Sequence, residues 1–193
     1  MTENELKVKL FVMDTGPLIT LAVAESLSYL LYPDVAVYIP DAVIYEATIK
    51  SGALGAENIA LWVQEHSELV HIIITQAYVD YQTLRNVNPM YRKQDLGEEA
   101  ALEAIRYGLH LDTNERAVLL TEDDRDANIL VLPQDHDRLI PLTTFDFLVG
   151  LELAGRIKSA EEVYRIVAKE GRNASRLYEQ ARKAVERLLK QKC

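Results

Sequence analysis

The chain alternates between short apolar runs and longer stretches in which apolar residues recur at helical spacing. The first run, residues 6–13 (LKVKLFVM), becomes wholly apolar and predicts a strand in the middle of a covered sheet. Residues 15–17 (TGP) predict a turn, and residues 18–31 predict one helix that ends before Pro33. The chain therefore begins with a strand, a turn and a helix.

The same alternation continues to residue 154. Strands are predicted at 35–39, 69–74, 117–121 and 139–142, and helices at 42–50, 57–66, 97–107 and 145–154. The 69–74 strand (LVHIII) is expected to be buried on both faces. Residues 77–94 have no clean period and are interpreted as a partly helical insertion. This order predicts a parallel sheet with helices on both faces, in which ligands bind beyond the carboxyl ends of the strands.

Length and composition indicate one domain with an extension. A chain of 193 residues, 49% of them apolar, can bury enough surface to fold alone. Its single cysteine, Cys193, cannot form an intramolecular disulfide, and no apolar run approaches the eighteen or so residues of a membrane span. We expect a cytoplasmic protein without a membrane segment, composed of a domain at 1–158 and a basic helical extension at 159–193.

The formal net charge of −9 conceals a division along the chain. Residues 1–155 contain 10 Lys and Arg against 25 Asp and Glu, whereas residues 156–193 contain 11 against 5. An acidic body repels phosphate unless a cation lies between them, and a basic tail attracts phosphate directly. Charge alone favours a plainer interpretation, a well-solvated acidic protein with a charged surface helix.

Three acidic residues fall at informative places in the predicted elements. Asp14 ends the first strand, where it would either bind a cation or cap the following helix. Glu46 shares a helix with buried positions, although a surface pair with Lys50 at i+4 is the simpler explanation of that residue alone. Glu98 is expected to point inward and Glu99 outward; the helix dipole alone would also favour an acid here.

A fourth acidic group follows the 117–121 strand. Residues 122–126 (EDDRD) place four carboxylates in five positions with only Arg125 to neutralise them. A hard divalent cation is a natural partner, and a solvated acidic turn is the alternative. Thr143 and Thr144, at the end of the last strand, would hold water or phosphate at the same edge, or cap the next helix.

Together these segments resemble the PIN (PilT N-terminus) domain family. The resemblance rests on five segments that span most of residues 8–157: VMDTGPLI, IPDAVIYEA, LGEEAALEAI, LLTEDDRDA and PLTTFDFLVGLELAGRI. It implies a three-layer α/β/α sandwich with a central parallel sheet, a Mg²⁺ or Mn²⁺ cofactor and hydrolysis of RNA phosphodiester bonds.

The resemblance also implies roles for individual residues. Catalytic roles fall to Asp14, Glu46, Glu98 and Asp124, metal binding to Asp14, Glu98, Asp123 and Asp124, and positioning of water or phosphate to Thr15, Thr143 and Thr144. Glu122 competes with Asp123 and Asp124 for the fourth acidic position, and Asp124 is favoured, followed by Asp123.

The basic extension has two interpretations. Arg172, Arg176, Arg182 and Lys183 fall on or near one helix and are expected to contact RNA phosphates. The alternative is a dimerisation helix, because residues 177, 181, 185 and 188 form an apolar stripe. The expected partners are therefore the RNA substrate and a second copy of the chain. An antitoxin protein is a further expected partner, because many compact family members are toxins of toxin–antitoxin pairs.

Two rival functions compete with the ribonuclease. A phosphoryl-transfer enzyme with Asp14 as nucleophile is disfavoured, because haloacid-dehalogenase-like sites use a second acid two residues later and Gly16 stands there. A non-catalytic nucleic-acid or protein-binding protein on the same fold is the alternative that we retain. All four acidic positions are filled, which favours the metal-dependent ribonuclease.

Overall fold

The computed structural model describes residues 7–49, 54–112, 114–122 and 138–171. Its strands are β1 (Lys7–Val12), β2 (Val37–Pro40), β3 (Val70–Ile73), β4 (Glu115–Thr121) and β5 (Leu139–Thr143). Its α-helices are α1 (Thr15–Val23), α2 (Asp41–Thr48), α3 (Ala56–Glu65), α4 (Gln76–Val87), α5 (Leu96–Glu103), α6 (Thr144–Leu153) and α7 (Ala160–Lys169). A 3-10 helix covers Leu27–Leu31, and a π-helical turn covers Ala104–Gly108.

The five strands form one parallel sheet in the order β3-β2-β1-β4-β5. The apolar strand β1 lies in the middle and is covered on both faces, as predicted. Leu10 and Val12 pack into one core with α1, α3, α6 and α7, and Phe11 and Met13 pack into a second core with α5 and the π-helical turn. The predicted three-layer α/β/α sandwich is confirmed.

The start of the chain differs from the prediction in two places. Residues 15–17 are the first turn of α1 rather than a separate turn. The helix predicted over residues 18–31 is two helices, because α1 ends where Glu25 adopts a left-handed conformation with φ 53°. The N–H of Ser26 then bonds the carbonyl of Leu21, which is the helix-ending pattern that usually employs glycine at the left-handed position. A glutamate at that position is no signal of a helix end in the sequence.

One further prediction is wrong, and another, the partly helical segment 77–94, is confirmed. Strand β3 is an edge strand and is not buried on both faces, since His71 is exposed. The segment 77–94 contains the regular helix α4, which is capped by Thr75 and by the carboxylate of Glu103. Only Ala77 and Tyr81 of α4 are buried, so its apolar stripe is too narrow to stand out in the sequence.

No helix in the described part of the chain has the length and apolarity needed to cross a membrane. Helix α7 confirms the first of the two helical stretches predicted after residue 158. The second stretch, with Arg172, Arg176, Arg182 and Lys183, lies outside the described residues.

Candidate functional site

Asp14 lies at the carboxyl end of the central strand. Its extended backbone makes it the N-cap of α1, and its Oδ1 accepts the backbone N–H of Gly16. Its Oδ2 accepts the N–H of Glu122, 3.0 Å away, just beyond β4. The helix-cap interpretation of Asp14 is confirmed, and hydrogen bonds to both oxygens fix the orientation of a half-buried carboxylate.

Glu122 is the acid that the structure places beside Asp14. Its Oε1 accepts the hydroxyl of Thr20 at 2.9 Å, and its Oε2 accepts the hydroxyl of Thr144 at 2.8 Å. Both threonines are fully buried, so the two donors have fixed positions. From the sequence, Glu122 ranked behind Asp123 and Asp124, which lie outside the described residues.

Strand register explains why these residues meet. Val12 pairs with Leu120 in the β1–β4 ladder, and Thr121 pairs with Thr143 in the β4–β5 ladder. Continuing both ladders beyond the strand ends places three residues in one row across the edge of the sheet, Asp14, Glu122 and Thr144. In the sequence, this placement is indicated by one feature, which is that Glu122 is the first acidic residue after its strand.

The row lies at the point where the chain connections diverge. From β1 the chain proceeds through α1 to β2 on one side, and it returns from β3 through α4 and α5 to β4 on the other side. In open parallel sheets this arrangement leaves a crevice beyond the carboxyl ends of the two central strands, and ligands bind there. Asp14 and Glu122 stand at that crevice.

Gly16 permits the close approach of the two acidic residues. A Cβ atom at Gly16 would lie 2.4 Å from Cβ of Glu122 and 2.6 Å from Oδ1 of Asp14. Both distances are shorter than van der Waals contact, so a larger residue would displace at least one of them. The TGP segment therefore forms the start of α1, and its glycine also leaves the room that Asp14 and Glu122 need to lie this close together.

Glu46 and Glu98 lie on two helices, α2 and α5, that meet at Gly97. Glu46, on α2, is half-buried, and its Oε2 is 2.8 Å from the position that a Cβ atom at Gly97 would occupy. Glu98 follows Gly97 in the first turn of α5. The structure therefore brings Glu46 against the start of the helix that carries Glu98. The prediction that Glu98 points inward is wrong, because both Glu98 and Glu99 are exposed. Lys50, the alternative partner of Glu46, lies outside the described residues.

The three threonines predicted to position water or phosphate have different surroundings. Thr143 caps α6, since its hydroxyl accepts the N–H of Asp146 at 3.0 Å and donates to the Asp146 carboxylate at 2.8 Å. Thr144 is fully buried, and its single hydroxyl proton is shared between Oε2 of Glu122, at 2.8 Å, and the carbonyl of Thr121, at 3.2 Å. Thr15 is half-buried at the start of α1. Thr143 matches the cap alternative, and Thr144 orients a carboxylate.

The chemistry of these side chains fits a hard divalent cation, because Mg²⁺ and Mn²⁺ prefer carboxylate oxygens. Within the described ranges, however, no three acidic, histidine or cysteine side chains lie close enough together to hold a metal ion. The described residues thus provide two separate groups of possible metal ligands. Asp14 lies beside Glu122, and Glu46 lies against the start of α5. A complete ligand set would require these to draw together or to gain a carboxylate from the acidic segment that continues after Glu122.

The chain was compared with protein-family models, with curated proteins and with solved structures, and no match was found in any of the three comparisons.

Proposed function

We propose that the protein is a divalent-metal-dependent ribonuclease that hydrolyses RNA phosphodiester bonds at the carboxyl edge of its sheet. The observation that carries the proposal is the placement of Asp14 and Glu122 side by side at the crevice between β1 and β4. The resemblance of the sequence segments to the PIN family and the presence of Glu46 and Glu98 on adjoining helices support the same function.

The protein's own contribution is the orientation of its carboxylates. Asp14 is held by the N–H groups of Gly16 and Glu122, and Glu122 is held by the hydroxyls of Thr20 and Thr144. Carboxylates fixed in this way do not need to reorganise when a cation and a phosphate arrive, which lowers the barrier of the reaction. We assign Asp14 and Glu122 as cation ligands.

Glu46 and Glu98 complete the proposed site together with Asp123 or Asp124. A bound Mg²⁺ or Mn²⁺ would supply charge stabilisation at the phosphate and acidify a bound water. Glu98 is exposed on α5, where its carboxylate is accessible to orient the attacking water. Attack by the water oxygen breaks the bond between phosphorus and O3′, so the products carry a 5′-phosphate and a 3′-hydroxyl.

The test is cleavage of a mixed RNA pool with Mn²⁺ or Mg²⁺, measured beside an EDTA control and the Asp14→Asn variant. The matched control is Glu161→Gln, which removes one carboxylate from the exposed first turn of α7. We expect EDTA and Asp14→Asn to abolish cleavage and Glu161→Gln to leave it unchanged. End-group analysis should find 5′-phosphates.

Two outcomes would contradict the proposal. Cleavage that persists in EDTA, or that yields 2′,3′-cyclic phosphates, would exclude the metal-dependent mechanism. If no metal supports cleavage and Mn²⁺ does not raise the melting temperature, the alternative function, a non-catalytic binding protein on this fold, would replace it.

A further inference from the structure

A pocket lies next to Glu46, between α2, α4 and the loop before α5. Its volume is about 310 Å³, and its lining residues are Tyr45, Glu46, Ile49, Tyr81, Arg85, Arg92, Lys93 and Leu96. The volume is at the lower end of the range of roughly 300–1,000 Å³ that small-molecule sites occupy. Three of the lining residues are cationic and one is acidic.

Arg85 is held in place by aromatic side chains. Its guanidinium donates to the hydroxyl of Tyr45 and stacks over the ring of Tyr81, with 5.8 Å between the guanidinium carbon and the ring centroid. The tyrosine rings also pack on one another, with 5.6 Å between the centroids of Tyr45 and Tyr81. A guanidinium that is already oriented loses little conformational entropy when it binds an anion.

Arg92 and Lys93 are positioned by the loop. Nη1 of Arg92 donates to the carbonyls of Pro89 and Tyr91, at 3.1 and 3.0 Å. Lys93 forms an ion pair with the exposed carboxylate of Glu99. Among the described residues, no carboxylate forms an ion pair with Arg85 or Arg92. The pocket therefore holds positive charge that an anion would neutralise.

This concentration of charge contrasts with the rest of the domain. Residues 1–155 contain only 10 Lys and Arg, and three of them line this one pocket. Glu46 lines the pocket and is also one of the acids assigned to the proposed active site, so a nucleotide in the pocket would contact one member of that set. Arginine clusters with adjoining aromatic rings are the surfaces that bind the phosphates and bases of single strands.

We propose that this pocket binds one unpaired nucleotide of the substrate RNA, next to the bond that is cleaved. The proposal rests on the proposed ribonuclease function for its choice of RNA. Arg85, Arg92 and Lys93 bind the phosphate, and the half-buried ring of Tyr45 contacts the base or the sugar. The segment 77–94, which has no role that the sequence reveals, thereby acquires one in substrate binding.

Binding is tested separately from cleavage by working in EDTA. The probe is a fluorescein-labelled single-stranded RNA of mixed sequence, about ten nucleotides long, which is within the site sizes of single-strand-binding proteins. The test variant is Arg92→Gln with Lys93→Gln. The control is Arg165→Gln with Lys169→Gln, which removes the same charge from α7, a helix that packs on the opposite face of the sheet from α5.

We expect the Arg92/Lys93 variant to bind at least about tenfold more weakly at low salt. The slope of log affinity against log salt should become shallower by about 0.7 for each phosphate that the variant no longer neutralises. The Arg165/Lys169 control should bind like the wild type, and a duplex RNA of the same length should bind weakly to every variant because its nucleotides are paired. Equal weakening in both double variants would overturn the proposal, since it would indicate only a general charge effect.

The two proposals can fail separately. Asp14→Asn should bind the single strand like the wild type while it fails to cleave it. If the Arg92/Lys93 variant binds as tightly as the wild type, the pocket proposal is overturned even if cleavage requires Asp14. If binding depends on the pocket and no metal supports cleavage, the nucleotide pocket is supported and the ribonuclease function is not.

Discussion

The backbone N–H of Glu122 donates a hydrogen bond to Oδ2 of Asp14 over 3.0 Å, although the two residues lie 108 positions apart in the chain. The other carboxylate oxygen of Asp14 accepts the N–H of Gly16. Asp14 therefore joins the start of α1 to the end of β4, and it stabilises the fold whatever chemistry it performs.

Replacement of Asp14 should separate its structural role from its chemical role. Asp14→Ala leaves two backbone N–H groups without an acceptor and should lower the free energy of unfolding by about 1–2 kcal/mol. Asp14→Asn retains one acceptor oxygen and should lower the free energy of unfolding by less. Urea unfolding measures both values. Equal losses in the two variants would mean that the one acceptor oxygen kept by asparagine does not stabilise the protein.

Gly16→Ala should damage both stability and cleavage. The added Cβ atom would lie 2.4 Å from Cβ of Glu122, and this overpacking should cost about 1–3 kcal/mol. Displacement of Asp14 or Glu122 by even about 1 Å should lower cleavage by up to about a hundredfold. Thermal unfolding and RNA cleavage are measured on the same preparation.

Gly150→Ala is the matched control for this substitution. Gly150 lies within α6, where an added Cβ atom would meet no described atom within 4 Å apart from its chain neighbours and the backbone of its own helix. Alanine should raise the free energy of unfolding by about 0.5–1 kcal/mol through its higher helix propensity and should leave cleavage unchanged. A loss of cleavage in Gly150→Ala would show that the Gly16 result is not specific to the site.

Gly97→Ala should lower cleavage without lowering stability. Its Cβ atom would meet only the flexible end of Glu46 closely, at 2.8 Å from Oε2, so the carboxylate can move aside at little cost. Alanine also favours the first turn of α5 by up to about 1 kcal/mol. We therefore expect equal or higher stability together with reduced cleavage. Unchanged cleavage would argue against a role for Glu46.

Thr144→Val should test whether Glu122 must be held in place. Valine has nearly the same shape but removes the hydroxyl, whose one proton is shared between Glu122 and the carbonyl of Thr121. Loss of this buried donor should cost about 1–3 kcal/mol and lower cleavage. Thr144→Ser, which restores the hydroxyl, should recover cleavage. If valine and serine behave alike, the hydroxyl has no role in the site.

The pH dependence of stability should include a contribution from Glu115. The N–H of Asp112 and the ammonium group of Lys9 both donate to its carboxylate and hold its pKa below the ordinary value of 4.5. The folded pKa is below the unfolded one, so this stabilisation is present above pH 4.5 and is lost as the pH falls through the folded pKa. The difference in unfolding free energy between the wild type and Glu115→Gln should therefore be largest near neutral pH and diminish in acid.

Much of the fold followed from local patterns. The short, wholly apolar run that ends at Met13 indicated the central strand, since such a run is typical of a strand covered on both faces. The alternation of strands and helices indicated the parallel sheet and hence the edge at which Asp14 would lie. The sequence could not indicate that α1 ends before Glu25, because the left-handed residue at that position is not a glycine.

By itself, the sequence determined the layered architecture and which strand ends carry acidic residues, because both depend on the order of residue types along the chain. Only the tertiary structure decided that Glu122 stands beside Asp14, that Glu46 lies against Gly97, and that Arg85, Arg92 and Lys93 surround one pocket. These relationships depend on strand register and on helix packing between segments distant in sequence, which a periodic pattern does not encode. For that reason the sequence ranked Glu122 behind Asp124 and Asp123 for the fourth acidic position, and it indicated no role for the segment 77–94.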